Sequence, residues 1–221
     1  MSTITEDLVL LLLRPDTGRP VVDSTSLDRA IGGALLLDLS TRDRVTADRE
    51  DAKARLTLTN AAPTGDPLLD AALARLGPAP LKAQKAVERL ARKTREPVLE
   101  RLAERGLVRR ERTRPLGLFP LTSWPAVDAS ARKELRGRVA AVLLDGKAPD
   151  QHLALLISLL HAVKAEHKVV DGPRRELRAR AKEVAQGDWA GQAVQKAVQA
   201  VQASVAVVVS VVAVAGSAGG S

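Results

Sequence analysis

The chain has no cysteine and no tyrosine, and among 221 residues it carries one phenylalanine, one methionine and two tryptophans. The missing cysteines exclude a disulfide framework, a thiolate metal site and a thiol nucleophile, and they fit a reducing compartment. The scarcity of aromatic rings removes base stacking as a general binding device and leaves Leu, Val and Ala to build the core, which suits helices. Long apolar runs are also short of what a membrane span needs. The run Leu8 to Leu13 covers six residues and follows Glu6 and Asp7, unlike a secretory signal with its basic start. It reads as a cytosolic first helix, with Thr3 and Glu6 spaced as a capping box and Arg14 and Gly18 marking its far end. The stretch Ala203 to Ala215 is 13 residues with two serines, below the roughly 18 to 20 of a spanning helix. A buried helix around Val205 to Val214 is expected there, with a buried strand or membrane insertion as the alternatives. The final "GSAGGS", 216–221, reads as a flexible tail beyond a single domain spanning 1–215.

Most of the remaining pattern is helical. Ser26 to Ser40 places Leu27, Ile31, Ala34, Leu35 and Leu39 on one face, and Gly32 and Gly33 allow close packing or a bend. "RVTADREDAKARLTLT" reads as two short strands around a charged turn. In "APTGDPLLDAALARLG", Asp66 is placed to cap a helix that Pro67 starts and Gly77 stops, so "PTGD" reads as a turn and cap rather than a site. Helices over Lys82 to Arg95 and Pro97 to Arg105 follow, parted or kinked at Pro97. A hairpin over 107–121 turns near Pro115 to Gly117. Three more helical patterns contain Val139 to Leu144, His152 to Val163 and Arg174 to Ala185. The fold class is therefore mainly α: one helical domain with a short β-hairpin and a buried C-terminal helix.

The net charge of +8 is concentrated. Between Lys82 and Arg114 twelve Lys or Arg stand against five Glu, a balance of +7. Lys82, Lys85, Arg89 and Arg92 recur at steps of three and four, with Arg95 one step further, as a basic helix stripe. Such a patch attracts polyanions or an anionic membrane over about 8 Å at physiological salt. Catalysis finds no constellation: His152, His161 and His167 lack metal-ligand spacing, and nucleotide-binding and hydrolase motifs are absent. No reaction, metal or cofactor is expected.

"TEDLVLLLL", "LLLDLSTRDRV", "APTGDPLLDAAL" and "LERLAERGLV", in this order and spacing, resemble the Golgi phosphoprotein 3 family from about Thr5 to Val214. The resemblance implies a mainly helical domain with a buried last helix and a hairpin used for oligomerisation, here carrying Leu116, Leu118 and Phe119. Eukaryotic members are peripheral membrane proteins that bind phosphatidylinositol 4-phosphate and hold glycosyltransferase tails at the Golgi. Their pocket uses a tryptophan, an arginine on the next helix, and two basic residues spaced i, i+3 on a later helix. That last pair corresponds to Arg92 and Arg95, with Lys93, Lys85 and the loop Val21 to Thr25 as neighbours. The tryptophan position falls on Val22 or Asp23 and the first arginine on Gly32, and Pro97 stands where the family continues its helix. The Ala and Arg bias points to a bacterial member. The resemblance implies as partners an anionic phospholipid surface, cytoplasmic tails of membrane enzymes, and further copies of the chain through the hairpin, with a cytoplasmic location peripheral to a membrane. The alternatives are a winged-helix DNA binder, in which "PVLERLAERGLVRRERTRPLGLFPL" supplies a helix and a basic wing, and a protein-interaction scaffold without lipid binding.

Overall fold

The computed structural model describes residues 2–113, 121–187 and 195–206. Helix α1 (Ile4–Leu12) is apolar nearly all round, and Leu8 to Leu12 are at most 5% exposed, which makes it the axis of the core. Its start is fixed twice. Thr3 N donates to Glu6 Oε2 at 2.8 Å and Glu6 N donates to Thr3 Oγ1 at 3.2 Å, completing the capping box. Asp38, on α2 (Ser24–Ser40), accepts from Ile4 N and Thr5 N at 3.0 Å each and from Thr5 Oγ1 at 2.7 Å. The amides of Thr3, Ile4 and Thr5 are thereby satisfied by carboxylates, where the helix dipole favours them, and that of Glu6 by a hydroxyl. Burial pushes the Asp38 carboxyl up, against the opposing pull of those bonds and of Arg42. At the other end the helix stops at Leu12, earlier than Arg14 and Gly18. Those two close a separate turn, with Gly18 N donating to Arg14 O at 2.8 Å.

The glycine pair in α2 permits close packing on two sides rather than a bend. A Cβ on Gly32 would stand 2.4 Å from Val87 O of α4 (Ala83–Ala91), and one on Gly33 would stand 3.1 Å from Val201 and Val205. The latter two lie on α10, the helix at 195–206, in which Ala197, Val198, Ala200, Val201, Ser204 and Val205 are buried. The described part of this C-terminal helix, 195–206, is buried on one side and reaches the expected segment only at Val205 and Ala206, while 207–214 lie outside the described residues.

Strands β1 (Val45–Ala47) and β2 (Arg55–Leu58) form the hairpin with a charged turn. A third strand, β3 (Leu81–Lys82), pairs with β2 and was not anticipated. Between them α3 (Pro67–Leu76) has Asp66 accepting from Leu68 N and Leu69 N. Helix α5 (Arg95–Glu104) leads to β4 (Glu111–Thr113) and β5 (Leu121–Ser123), which pair antiparallel in register Arg112 with Thr122. This hairpin closes lower than the sequence suggests, with a bridge from Val108 to Ala126. The turn carrying Leu116, Leu118 and Phe119 lies outside the described residues. Helices α6 (Ser130–Leu143), α7 (Gln151–Ala162), α8 (Glu166–Val169) and α9 (Arg174–Gln186) complete the domain, with α5, α6, α7 and α8 all packed on α1. The one-turn α8 has no sequence signal, and its Glu166 Oε1 lies 2.6 Å from His161 Nδ1.

Two consequences are measurable. Glu6 is fully buried and bonds Arg101 Nε and Arg105 Nη1 at 2.8 Å each, and Arg101 also holds Asp66. Removing one partner of such a network strands a buried charge, so Arg101→Ala should lower stability by about 3 kcal/mol in urea unfolding. Arg109→Ala, which removes an exposed pair, should cost under about 1 kcal/mol. Separately, His152 Nε2 lies 2.8 Å from Asp7 Oδ2. That contact raises the imidazole pKa, against burial and with help from the charges of Asp7, Asp38 and Asp150. The contribution is present below the unfolded value of 6.5 and fades as pH rises through the folded one. Wild type should exceed His152→Gln by about 1 kcal/mol near pH 5.5, and the two should converge near pH 9.

Candidate functional site

The basic segment does not form one helix. Helix α4 ends at Ala91, residues 92–94 make a turn, and α5 begins at Arg95, so Arg92 and Arg95 sit on either side of a break. The turn is built by side chains. Thr94 is buried and its Oγ1 donates to Leu90 O, taking the place of a continuing amide, while Lys93 adopts φ 55°. A left-handed backbone under a long side chain is strained by about 1 kcal/mol. Arg75 of α3 stitches the turn down, donating from Nη1 to Arg92 O at 2.8 Å and to Thr94 Oγ1 at 2.7 Å. Pro97 causes no break: it is the third residue of α5, where the missing N–H has no intrahelical acceptor.

The two arginines consequently have different surroundings. Arg95 Nε donates to Asp28 Oδ1 at 2.8 Å and Nη2 donates to Ser24 O at 2.6 Å, joining α5 to the start of α2. Arg92 is exposed, and its side chain has no hydrogen-bond or ion-pair partner among the described residues. Thr25, Asp28, Arg29, Glu88, Ala91 and Arg92 line a cavity of about 410 Å³ between α2 and α4. Arg29 was not singled out from the sequence. Its Nη1 is buried without a hydrogen-bond partner, the only such arginine nitrogen beside this cavity. It lies one helical turn before Gly32, where an arginine could not fit against Val87 O. Arg95 lines a neighbouring cavity of about 420 Å³ with Arg19, Leu27, Leu99 and Trp124. Lys85 and Lys93 are exposed and line neither cavity.

Elsewhere the basic segment is largely neutralised internally. Arg89 Nη1 donates to Leu76 O at 3.0 Å and closes the end of α3. Arg109 pairs with Glu111 at 2.6 Å, and Arg110 pairs with Glu96 at 2.6 Å and Glu100 at 3.2 Å while lying 5.4 Å from the Trp124 ring centre. Trp124 is itself buried, so it supports the hairpin base rather than an exposed interface. A third cleft, about 440 Å³ between α3 and α5, is walled by Asp66, Glu100 and Glu104 around Arg101. There Asp66, although burial alone would raise it, is held below the usual carboxylate range by Arg101 and the capped amides. "PTGD" therefore does more than cap: it anchors α5. The sign of that cleft is wrong for an anion, and the α2–α4 cavity is the stronger candidate.

Among the described residues no group of three His, Asp or Glu could hold a metal, and no helix is long and apolar enough to cross a membrane. The family model of Golgi phosphoprotein 3 (GPP34) matches residues 4–201. The chain belongs to the Golgi phosphoprotein 3 family. No curated protein matches it. Arg92 and Arg95 stand three apart in sequence, but the turn between them gives Arg95 to Asp28 and leaves Arg92 free among the described residues.

Because Arg75 is the clamp on this turn, Arg75→Ala should speed amide hydrogen exchange by about tenfold at Val98, whose N–H donates to Thr94 O at 3.2 Å, with α2 unchanged. Unchanged exchange at this amide would show that Thr94 alone holds the turn.

Proposed function

We propose that this protein attaches peripherally to membranes bearing acidic phospholipids, with the α2–α4 cavity receiving the headgroup phosphate on Arg92 and Arg29. Family membership supports the reading, and the observation that carries it is the pair of guanidinium groups at one cavity, Arg92 and Arg29, neither with a hydrogen-bond or ion-pair partner among the described residues. Arginine suits the role because its planar fork matches phosphate oxygens. Arg95 acts at one remove, holding Asp28 and the α2 start in place. Lys85 and Lys93 contribute general attraction from outside the cavity.

Each basic residue near an anionic surface contributes about 1 kcal/mol, so one cavity gives weak attachment. The reading therefore includes a second contact: self-association through the hairpin around Leu116, Leu118 and Phe119, which multiplies weak sites by avidity. A surface-bound oligomer of this kind would serve as an adaptor for cytoplasmic tails of membrane enzymes, and the reading assigns it no reaction. Attachment would be at the cytoplasmic face, through one folded unit that extends over 1–215. Winged-helix DNA binding has less support, since the basic side chains at the hairpin base, Arg109 and Arg110, already pair with Glu111, Glu96 and Glu100.

Sedimentation with anionic vesicles, neutral vesicles and duplex DNA over a salt series tests the reading. Arg92→Ala and Arg29→Ala should each weaken anionic-vesicle binding about fivefold, from about 1 kcal/mol apiece, while Arg109→Ala should change it less than about twofold. Equal losses from all three would reduce the site to diffuse charge. Tight DNA binding that collapses with salt would favour the nucleic-acid alternative.

A further inference from the structure

The α2–α4 cavity is not uniformly basic. Its wall carries two carboxylates, Asp28 and Glu88, beside Arg29 and Arg92. Asp28 is already neutralised by Arg95 at 2.8 Å. Glu88 is not: its Oε1 accepts from Gln84 Nε2 at 3.1 Å, and no cation lies within ion-pair distance of it among the described residues. It stands one turn before Arg92 on the same helix, yet the chain leaves α4 at Ala91 and no ion pair closes between the two. Subtracting the Asp28–Arg95 pair leaves the cavity with two cations and one carboxylate.

A polyphosphorylated inositol ring would satisfy the cations and place extra negative charge against Glu88. The complement of two cations and one carboxylate is a ligand with two anionic groups and one ammonium. Resting on the membrane reading above, we propose that the cavity takes a headgroup of the phosphoserine type, with Glu88 receiving the ammonium. Arg29 and Arg92 then hold its phosphodiester and carboxylate. The cavity volume of about 410 Å³ falls in the range of small-ligand sites. Ala91 offers no bulk that would exclude the ammonium from the α4 side. Glu88 would thus be the specificity-determining residue, and the arginines would set affinity.

Phosphatidylserine and phosphatidylglycerol carry the same net charge, so vesicles containing equal fractions of either separate headgroup chemistry from surface potential. Wild type should bind phosphatidylserine vesicles about threefold more tightly, the worth of one partly exposed ion pair. Glu88→Gln should erase that ratio by strengthening phosphatidylglycerol binding and weakening phosphatidylserine binding. Its unfolding midpoint in urea should match wild type, because Glu88 makes no ion pair in the fold. Glycerophosphoserine in solution, titrated against glycerol phosphate by heteronuclear NMR, distinguishes the two sources of the ligand. Shifts at Arg29 and Arg92 with glycerophosphoserine but no vesicle binding would keep the ligand chemistry and overturn the membrane reading. Equal binding to both vesicle types, lost together in Arg92→Ala, would overturn this inference and leave the membrane reading intact. Preference for phosphatidylserine that survives Glu88→Gln would also overturn it, since the ammonium would then not be read by Glu88.

Discussion

The arrangement depends on one buried carboxylate. Glu6 sits at the start of the central helix with no exposure, where an unpaired charge would be costly by several kcal/mol. Its burial alone would raise its pKa, but the Thr3 amide, Arg105 and Arg101 together hold it below the ordinary value, so it remains charged. The consequence is positional. Glu6 fixes Arg101 and Arg105, and with them the second half of α5. Arg101 then spans to Asp66, which already binds two amides of α3, so three helix positions are locked by one guanidinium. Because α3 and α5 are both held, the chain between α4 and α5 has little freedom. The turn at 92–94 is where that constraint is absorbed.

That turn decides what the basic segment can do. On a continuous helix, Arg92 and Arg95 would lie on one face about a turn apart and could share a ligand. With Lys93 in the left-handed region and Thr94 closing on Leu90, the second arginine instead points into α2 and meets Asp28. A free cation pair becomes one free cation and one structural link. Arg29 stands on the opposite wall, so the cations of the cavity come from α2 and from the turn after α4.

Much of the local structure was legible because its causes are local. The capping box at Thr3 and Glu6, the Asp66 cap with Pro67 and Gly77, and the charged hairpin turn before Arg55 all depend on residues within a few positions of one another. The family resemblance extended this to the overall helical domain. What stayed hidden is long-range or rests on a single side chain. The Glu6–Arg101 bond joins residues 95 apart and Asp66–Arg101 joins residues 35 apart, and neither spacing carries a periodic signal. Pro97 drew the helix break toward itself, whereas a proline in the first turn is harmless and Thr94 was the real terminator. Arg29 was overlooked because it lies on a helix otherwise defined by its apolar face. Only the approach of α4 across Gly32 makes it part of a cavity.

That approach also bears on which ligands the cavity can accept. A Cβ on Gly32 would overlap Val87 O. The glycine and the close helix contact therefore belong together: an arginine at 32 would require α2 and α4 to separate. The guanidinium of Arg29, one turn nearer the start of α2, lines the cavity with Thr25 and Asp28. With Asp28 on α2 and Glu88 on α4, the lining carries charge of both signs beside Arg29 and Arg92. Most of the other arginines in the segment are held by carboxylates or helix-end carbonyls, which leaves the α2–α4 cavity as the place where unpaired charge of both signs is brought together.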